Sequence, residues 1–202
     1  MNNLNKFKWT IVYSDFQHQY LHLKHLEKSN PDAQILLADI SNDLPKIMVW
    51  RNNDRYIREW LRNNYHKILH NNIAFVEWDV IITTNLPNIN VCGFIGKHLQ
   101  KPGINEWLWF NEIHSLGKYK THAMGAAPFA IQFMDKQAIN TWMSHEYDDI
   151  YAQDIFCELR LPTIMNYAGI KMSEYLLPFV EWYNIKYNKH IPGIYHAVKY
   201  AI

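Results

Sequence analysis

The chain has 202 residues, 49% of them hydrophobic and 15% aromatic, which excludes a disordered chain and suffices for one domain with a sizeable core. Its 20 lysines and arginines nearly cancel 19 aspartates and glutamates, so no strong field favours nucleic acid or an anionic membrane as a partner. The N-terminus is polar, and no apolar run approaches the roughly 20 residues of a transmembrane helix. The sequence therefore predicts a cytoplasmic protein with no transmembrane segment and no nucleic-acid partner.

The first half of the sequence alternates apolar runs with amphipathic segments. Strands are predicted at 8–13, 33–38, 47–50 and 73–76, and helices at 16–28 and 54–66. The apolar runs are continuous rather than alternating, which is typical of strands covered on both faces in a parallel sheet. Because open α/β sheets bind ligands at the carboxyl ends of their strands, we expect a site at that edge.

The second half of the sequence follows a less regular pattern. Isolated strands are predicted at 90–96 and 127–133, and helices at 135–144 and 154–168, the last interrupted by Pro162. We predict a single domain spanning residues 1–202, with a regular half at about 1–85 and a mixed half at about 86–202.

Two carboxylates directly follow the strand predicted at 73–76, in the order Glu77-Trp78-Asp79. In an extended backbone, residues two apart point to the same face, so Glu77 and Asp79 can project into one crevice while Trp78 turns away. Paired oxygen ligands at a strand end suit Mg²⁺ or Mn²⁺, which in turn hold phosphates. A strand running into a solvated acidic turn is the alternative interpretation.

A second polar group lies in the segment after Pro192-Gly193. There His196 can offer a neutral nitrogen to a metal ion, and Lys199 can offer an ammonium to a phosphate. The alternative is a strand that carries incidental polar residues.

In their order along the chain, these features resemble the GT-A class of nucleotide-sugar-dependent glycosyltransferases. The resemblance covers most of the chain and rests on the α/β first half, the D-x-D-like Glu77-Trp78-Asp79, the segment 158–163 and the H-x-V-K-like 196–199. It implies an α/β fold: a single GT-A-like domain, mostly parallel in its central sheet, with a nucleotide-binding first half and a mixed acceptor half. The implied reaction moves a sugar from a nucleotide diphosphate sugar to a hydroxyl of a glycan or another acceptor.

The resemblance also implies roles for individual residues. Glu77, Asp79 and His196 would hold the divalent cation, Mn²⁺ or Mg²⁺, and Lys199 would contact the diphosphate. The first position of the signature is Glu rather than Asp, which leaves open whether Glu77 contacts the metal or the ribose.

Nucleotide recognition is expected at the ends of the predicted strands. Tyr13, Asp15 and Asp39 stand at such ends and are placed to contact the base or ribose. Arg51 and Asp54 follow the predicted third strand and are placed for base or sugar recognition. For Asp54 the alternative is a favourable charge in the first turn of a helix.

An inverting reaction needs a carboxylate that deprotonates the acceptor. Glu158 is the first candidate, and Asp154, one helical turn earlier on the same face, is the second. Exposed helix carboxylates are the alternative for both. The aromatic residues that are candidates to stack on a sugar ring, if they are not core, are Trp107, Trp109, Trp142 and Tyr147.

Two other functions fit the same pattern. The chain could be a non-catalytic relative that binds nucleotides or carbohydrates and keeps the metal residues without turnover. It could also be a metal-dependent nucleotidyltransferase or phosphoesterase, because such enzymes pair carboxylates at strand ends as well.

Overall fold

The computed structural model describes residues 8–16, 20–103, 108–127, 129–174 and 192–196, together with the backbone of 179–182. The strands are Trp9–Asp15 (β1), Gln34–Asp39 (β2), Asn72–Val76 (β3), Ile81–Ile82 (β4), Phe94–Gly96 (β5), Leu99–Gln100 (β6), Gly125–Ala126 (β7), Ile131–Met134 (β8), Met172–Glu174 (β9), Phe179–Trp182 (β10) and Ile194–His196 (β11). The α-helices are Tyr20–Ser29 (α1), Lys46–Asn64 (α2), Lys136–Met143 (α3), Asp148–Tyr151 (α4) and Cys157–Tyr167 (α5). The 3₁₀ segments are Tyr65–Lys67, Leu108–His122 and His145–Tyr147.

A six-stranded sheet forms the centre of the fold, with the strand order β2-β1-β3-β8-β5-β9. Five of these strands run in one direction and β8 runs against them. Two small sheets accompany it, one of β10, β11 and β4 and one of β6 and β7. The predicted α/β class with a mostly parallel central sheet is confirmed.

Both faces of the central sheet are covered, as the continuous apolar runs predict. Successive residues of a strand point to opposite faces. Accordingly, Val12 and Phe75 belong to the core packed against α2, α3 and α5, whereas Ile11 and Ala74 belong to a second core on the other face. No helix among the described residues is both long and apolar enough to span a bilayer.

The third predicted strand, 47–50, is wrong. These residues form the first turn of α2, in which Val49 is buried while Ile47 and Met48 are exposed. A short apolar run does not by itself distinguish a strand from a buried helical turn. Pro45 decides the outcome, because its φ of −59° suits the start of a helix and its missing N–H has no partner to lose there. Three parallel strands therefore precede Glu77, rather than four.

The helix predicted at 154–168 begins later than expected. It starts at Cys157 and runs through Pro162 to Tyr167. Asp154 lies before this helix, so the prediction that it shares a helical face with Glu158 is wrong. By contrast, α3 begins as predicted, because the carboxylate of Asp135 accepts the N–H of Ala138 at 2.8 Å.

A buried ion pair joins α2 to α5. The carboxylate of Asp54 accepts the Nε of Arg160 at 2.9 Å and a terminal nitrogen at 2.5 Å, and both side chains are 0% exposed. Arg160 donates further hydrogen bonds to the side chain of Asn52 and the carbonyl oxygen of Gln153. The prediction that Asp54 recognises a base or sugar is thereby corrected, because both of its oxygens are engaged inside the protein.

Replacing Asp54 with asparagine should lower the free energy of unfolding by about 3–5 kcal/mol, because it leaves the charge of Arg160 buried without its partner. Urea denaturation measures this loss. The control is Asp154→Asn, the same chemical change at a carboxylate that is 77% exposed and pairs with Arg51. That variant should lose only about 0–1 kcal/mol. Equal losses in the two variants would contradict a structural role for the buried pair.

Candidate functional site

Carboxylates collect at one edge of the central sheet, where its parallel strands end. Asp15 and Asp39 lie opposite each other in the register of β1 and β2, and Glu77 follows the last residue of β3. The backbone N–H of Glu77 donates to the carbonyl oxygen of Ala130 at 3.0 Å, which ties it to the start of β8. This is the edge at which the sequence predicts the ligand site.

The chain turns sharply at Glu77-Trp78-Asp79 instead of remaining extended. The N–H of Val80 donates to the carbonyl oxygen of Glu77 at 3.2 Å and closes the turn. The carboxylates of Glu77 and Asp79 nevertheless face the same side, as expected, but the turn rather than strand alternation brings this about.

Trp78 points away from the carboxylates and fixes the turn. Its ring packs edge-on against Phe16, with 5.4 Å between ring centroids. Its carbonyl oxygen accepts the hydroxyl of Tyr13 at 2.8 Å and lies 3.0 Å from the Nδ1 of His22. These buried contacts hold the backbone between the two carboxylates in place.

The strand that follows the turn brings His196 to the site. Ile81 of β4 pairs antiparallel with Tyr195 of β11, so the next residue of β11 lies level with Val80 and beside Asp79. The Nε2 of His196 is 3.6 Å from an oxygen of Glu77 and 3.7 Å from one of Asp79. A local pairing of two short strands thus connects positions far apart in the sequence.

Glu77, Asp79 and His196 form the group of described residues whose side chains could hold a metal ion. One ligand atom from each lies within 4.8 Å of the others. Ligands at about 2.1 Å from one ion are roughly 3 Å apart when they sit at right angles, so small side-chain movements would close the site around an ion. Two carboxylates and one imidazole suit Mn²⁺ or Mg²⁺ in type.

The one imidazole of this group does not balance the negative charges of its two carboxylates. Burial raises the pKa of Asp79 to about 6, and the charge of Glu77 adds to the shift, whereas His196 and Lys46 oppose it. Burial acts to lower the pKa of His196, but the two carboxylates outweigh it and the pKa is raised. A bound cation would relieve the repulsion between the carboxylates.

Three further residues, Ser14, Asn53 and Lys46, support the group. Asn53 donates its amide to Glu77 at 2.9 Å and accepts the hydroxyl of Ser14 at 2.9 Å, which orients the carboxylate. Lys46 lies 4.4 Å from the ring centre of Trp78, close enough for its charge to lower the pKa of Asp79. The sequence analysis did not identify Lys46 and Asn53 as part of the site, because it started the helix at residue 54 and both residues lie in the earlier turns of α2.

Glu158 is the third acidic side chain of the site, after Glu77 and Asp79. It lies in the first turn of α5, is almost fully buried, and accepts the N–H of Phe129 at 2.9 Å. Burial raises the pKa of Glu158 to about 8, and the negative charge of Glu77 adds to this shift. The structure thus brings Glu158 near the three possible metal ligands.

The residues expected to recognise the nucleotide lie in different surroundings. Tyr13 is buried and its hydroxyl is engaged by the backbone of Trp78. Asp15 is half-buried and Asp39 is exposed at the sheet edge. Lys199 lies outside the described residues, as does Trp107.

Arg51 and Asp154 lie together and form an ion pair. The Nε of Arg51 donates to Asp154 at 2.7 Å, and its terminal nitrogen contacts Glu112 at 2.8 Å. Two aromatic candidates prove to be core, because Trp142 and Tyr147 are buried. Of the four predicted stacking residues, Trp109 is the one that the structure places beside Glu158.

Comparison with known proteins leaves the function to be argued from the side chains. No protein-family model matches the chain, and no curated protein matches it. Among solved structures, that of an active-site mutant of LgtC aligns over 95% of this chain and 88% of its own, with 12% identity and a TM-score of 0.49. A likeness at this level decides neither family nor activity.

The thermal stability of the metal-free protein should fall as the pH rises from about 5 to 8. Folded Glu158 has a pKa of about 8 against an ordinary 4.5, so the folded state keeps a proton that the unfolded state releases. The stability that Glu158 contributes is fully present below the ordinary pKa and is lost as the pH approaches 8. Glu158→Gln cannot ionise, so its melting temperature relative to the parent should increase across this window.

Calorimetric scans in the presence of a chelator measure both curves. Glu59→Gln, the same change on the exposed face of α2, is the control and should melt in parallel with the parent at every pH. If the Glu158→Gln curve also runs parallel to the parent, Glu158 ionises as an ordinary exposed carboxylate.

Proposed function

We propose that the chain is a GT-A-like glycosyltransferase that moves a sugar from a nucleotide diphosphate sugar to an acceptor hydroxyl and requires a divalent cation. The observation that carries this proposal is the convergence of Glu77, Asp79 and His196 at the carboxyl edge of a mostly parallel sheet, with Glu158 beside them. Open α/β sheets bind nucleotides at this edge, and two carboxylates with an imidazole are suitable ligands for Mn²⁺.

The donor diphosphate would lie over Asp79 and His196. A cation held there with Glu77 would supply positive charge to the leaving diphosphate. Lys46 adds a positive charge near Asp79, because its charge acts to lower the pKa of that carboxylate. Lys199, three residues beyond His196, is proposed to contact the phosphates as well.

The nucleoside would extend along the sheet edge, away from Glu158. Asp15 and Asp39 stand next to each other on that edge, and ribose hydroxyls are suitable donors to their carboxylates. Tyr13 is proposed to act indirectly. Its hydroxyl donates a hydrogen bond to the carbonyl oxygen of Trp78 and so supports the turn between Glu77 and Asp79. Arg51 is proposed to act on the acceptor side, as its partners Glu112 and Asp154 lie there.

Glu158 is proposed as the base that takes the proton of the acceptor hydroxyl. A carboxylate whose pKa is raised towards neutrality holds a proton more strongly than an exposed one, which favours proton transfer in the transition state. Asp154 remains the second candidate; its exposed position and its pairing with Arg51 support it less.

Asp79→Ala should abolish nucleotide binding that depends on Mn²⁺, and Asp79→Asn should be nearly as damaging, because the property lost is negative charge. Titration calorimetry with UDP and GDP, with and without Mn²⁺, measures the binding. Glu59→Gln on the exposed face of α2 is the matched control and should bind like the parent. An Asp79 variant with parental affinity for both nucleotide and Mn²⁺ would remove the metal assignment.

The same titrations, combined with assays of hydrolysis and transfer, separate the alternative functions. Binding of nucleotide and Mn²⁺ without donor hydrolysis or transfer indicates a non-catalytic relative. Hydrolysis of simple phosphodiesters, or nucleotidyl transfer without release of a sugar, indicates one of the other metal-dependent enzyme classes.

Glu158→Gln should reduce sugar transfer by about 10²–10⁴-fold while donor binding is unchanged, because it keeps the size of the side chain and removes the basic oxygen. Asp154→Asn is the comparison variant and should retain transfer. Normal turnover by Glu158→Gln, with loss in Asp154→Asn, would move the base to Asp154. Full activity in both would refute a base in this region.

A further inference from the structure

An aromatic surface lies at the start of α5, the helix that carries Glu158. We define the aromatic platform as Trp50, Trp109 and Leu108. Trp109 lies flat on the buried ring of Phe156, with 3.9 Å between centroids and 13° between planes. Trp50 stands edge-on to both rings, 5.5 Å from Trp109 and 4.6 Å from Phe156. The mutual packing fixes the orientation of the two indoles.

The platform is unusually exposed for its composition. Trp50 is 38% exposed and Leu108 64%, and Ile47 and Met48 on the same end of α2 are exposed as well. Exposed apolar groups next to a functional cleft commonly mark the place where a ligand is bound.

Polar side chains border the platform. Arg51, next to Trp50 in sequence, contacts Glu112 at 2.8 Å, and Glu112 in turn accepts the N–H of Phe156 at 2.7 Å. A pyranose ring has an apolar C–H face and a rim of hydroxyls. An indole face bordered by a guanidinium and carboxylates matches both parts of such a ring.

Trp109 links the platform to the start of α5, because it stacks on Phe156, two residues before Glu158. The charges of Glu77 and His196 in turn act on the carboxylate of Glu158. Glu158 therefore lies close both to the platform and to the metal ligands. A sugar resting on the platform would have its hydroxyl rim near Glu158.

From this placement we infer that the aromatic platform binds the acceptor, and that the acceptor carries a pyranose ring which stacks on Trp50 and Trp109. The identification of the bound sugar as the acceptor rests on the proposed function. The sugar-binding surface itself rests on the exposure, packing and polar border of the platform. The acceptor is accordingly a glycan or glycoside rather than a small alcohol or a bare protein hydroxyl.

The test is binding of simple pyranosides to the full chain, with methyl glucosides, methyl galactosides and lactose as probes. Saturation-transfer NMR identifies a probe that binds, and a titration gives its Kd. Trp50→Ala should weaken that Kd roughly tenfold, while Trp50→Tyr, which keeps a flat ring, should recover most of the loss. Leu69→Ala, at an equally apolar side chain that is 69% exposed away from the platform, is the control and should bind like the parent.

Titration of Trp50→Ala with UDP or GDP and Mn²⁺ separates this inference from the proposed function. Parental nucleotide affinity together with weakened pyranoside affinity is the expected result. If no probe binds the parent, or if Trp50→Ala binds it equally well, the platform assignment is overturned whatever the nucleotide titrations show. If pyranoside binding depends on Trp50 but the parent binds no nucleotide, the sugar surface stands and the proposed function fails.

Discussion

The buried ion pair of Asp54 and Arg160 joins the two helices that carry Asn53 and Glu158. Asp54 directly follows Asn53, which orients Glu77, and Arg160 lies two residues after Glu158. This contact between α2 and α5 therefore helps to fix the position of Asn53 relative to the proposed base. Such a pair adds little net stability, because desolvating both charges offsets most of their attraction. Its value here is geometric, since two planar groups joined by two hydrogen bonds allow one relative position of the helices.

The remaining buried charges are not neutralised in this way. Glu77, Asp79 and Glu158 bring three carboxyl groups to one end of the sheet, and the half-buried His196 is the basic group beside Glu77 and Asp79. Desolvation and mutual repulsion keep protons on such groups, which is the cause of the raised pKa values of Asp79 and Glu158. An arrangement that destabilises the empty protein is retained where it serves a ligand. The concentration of acidic groups is thus better understood as a property of the site than of the fold.

Local patterns in the sequence predicted the parts of the fold that local physics determines. The apolar runs of β1, β2 and β3 and the Asp135 cap of α3 follow from side-chain periodicity and capping. The run 47–50 did not, because the apolarity of four residues is compatible with either a strand or a helix and Pro45 alone marks the difference. The meeting of His196 with Asp79 depends on the pairing of β4 with β11, strands of two and three residues that have no periodicity to detect. The resemblance to a family suggested that meeting, whereas Asn53, Lys46 and Trp50 carried no signal of their roles.

Because β11 follows all six strands of the central sheet in the sequence, the ribosome synthesises the sheet before it synthesises His196 of the site. During synthesis the chain emerges from its N-terminus, and domains begin to fold as soon as their elements are available. All six strands of the central sheet are present once residue 174 has emerged, whereas β11 begins only at residue 194. A nascent chain can thus complete its six-stranded sheet while it still lacks the third metal ligand and Ile194, which completes the second core. During that interval the chain cannot bind the cation through all three side chains, so three-ligand binding requires a chain translated at least as far as His196.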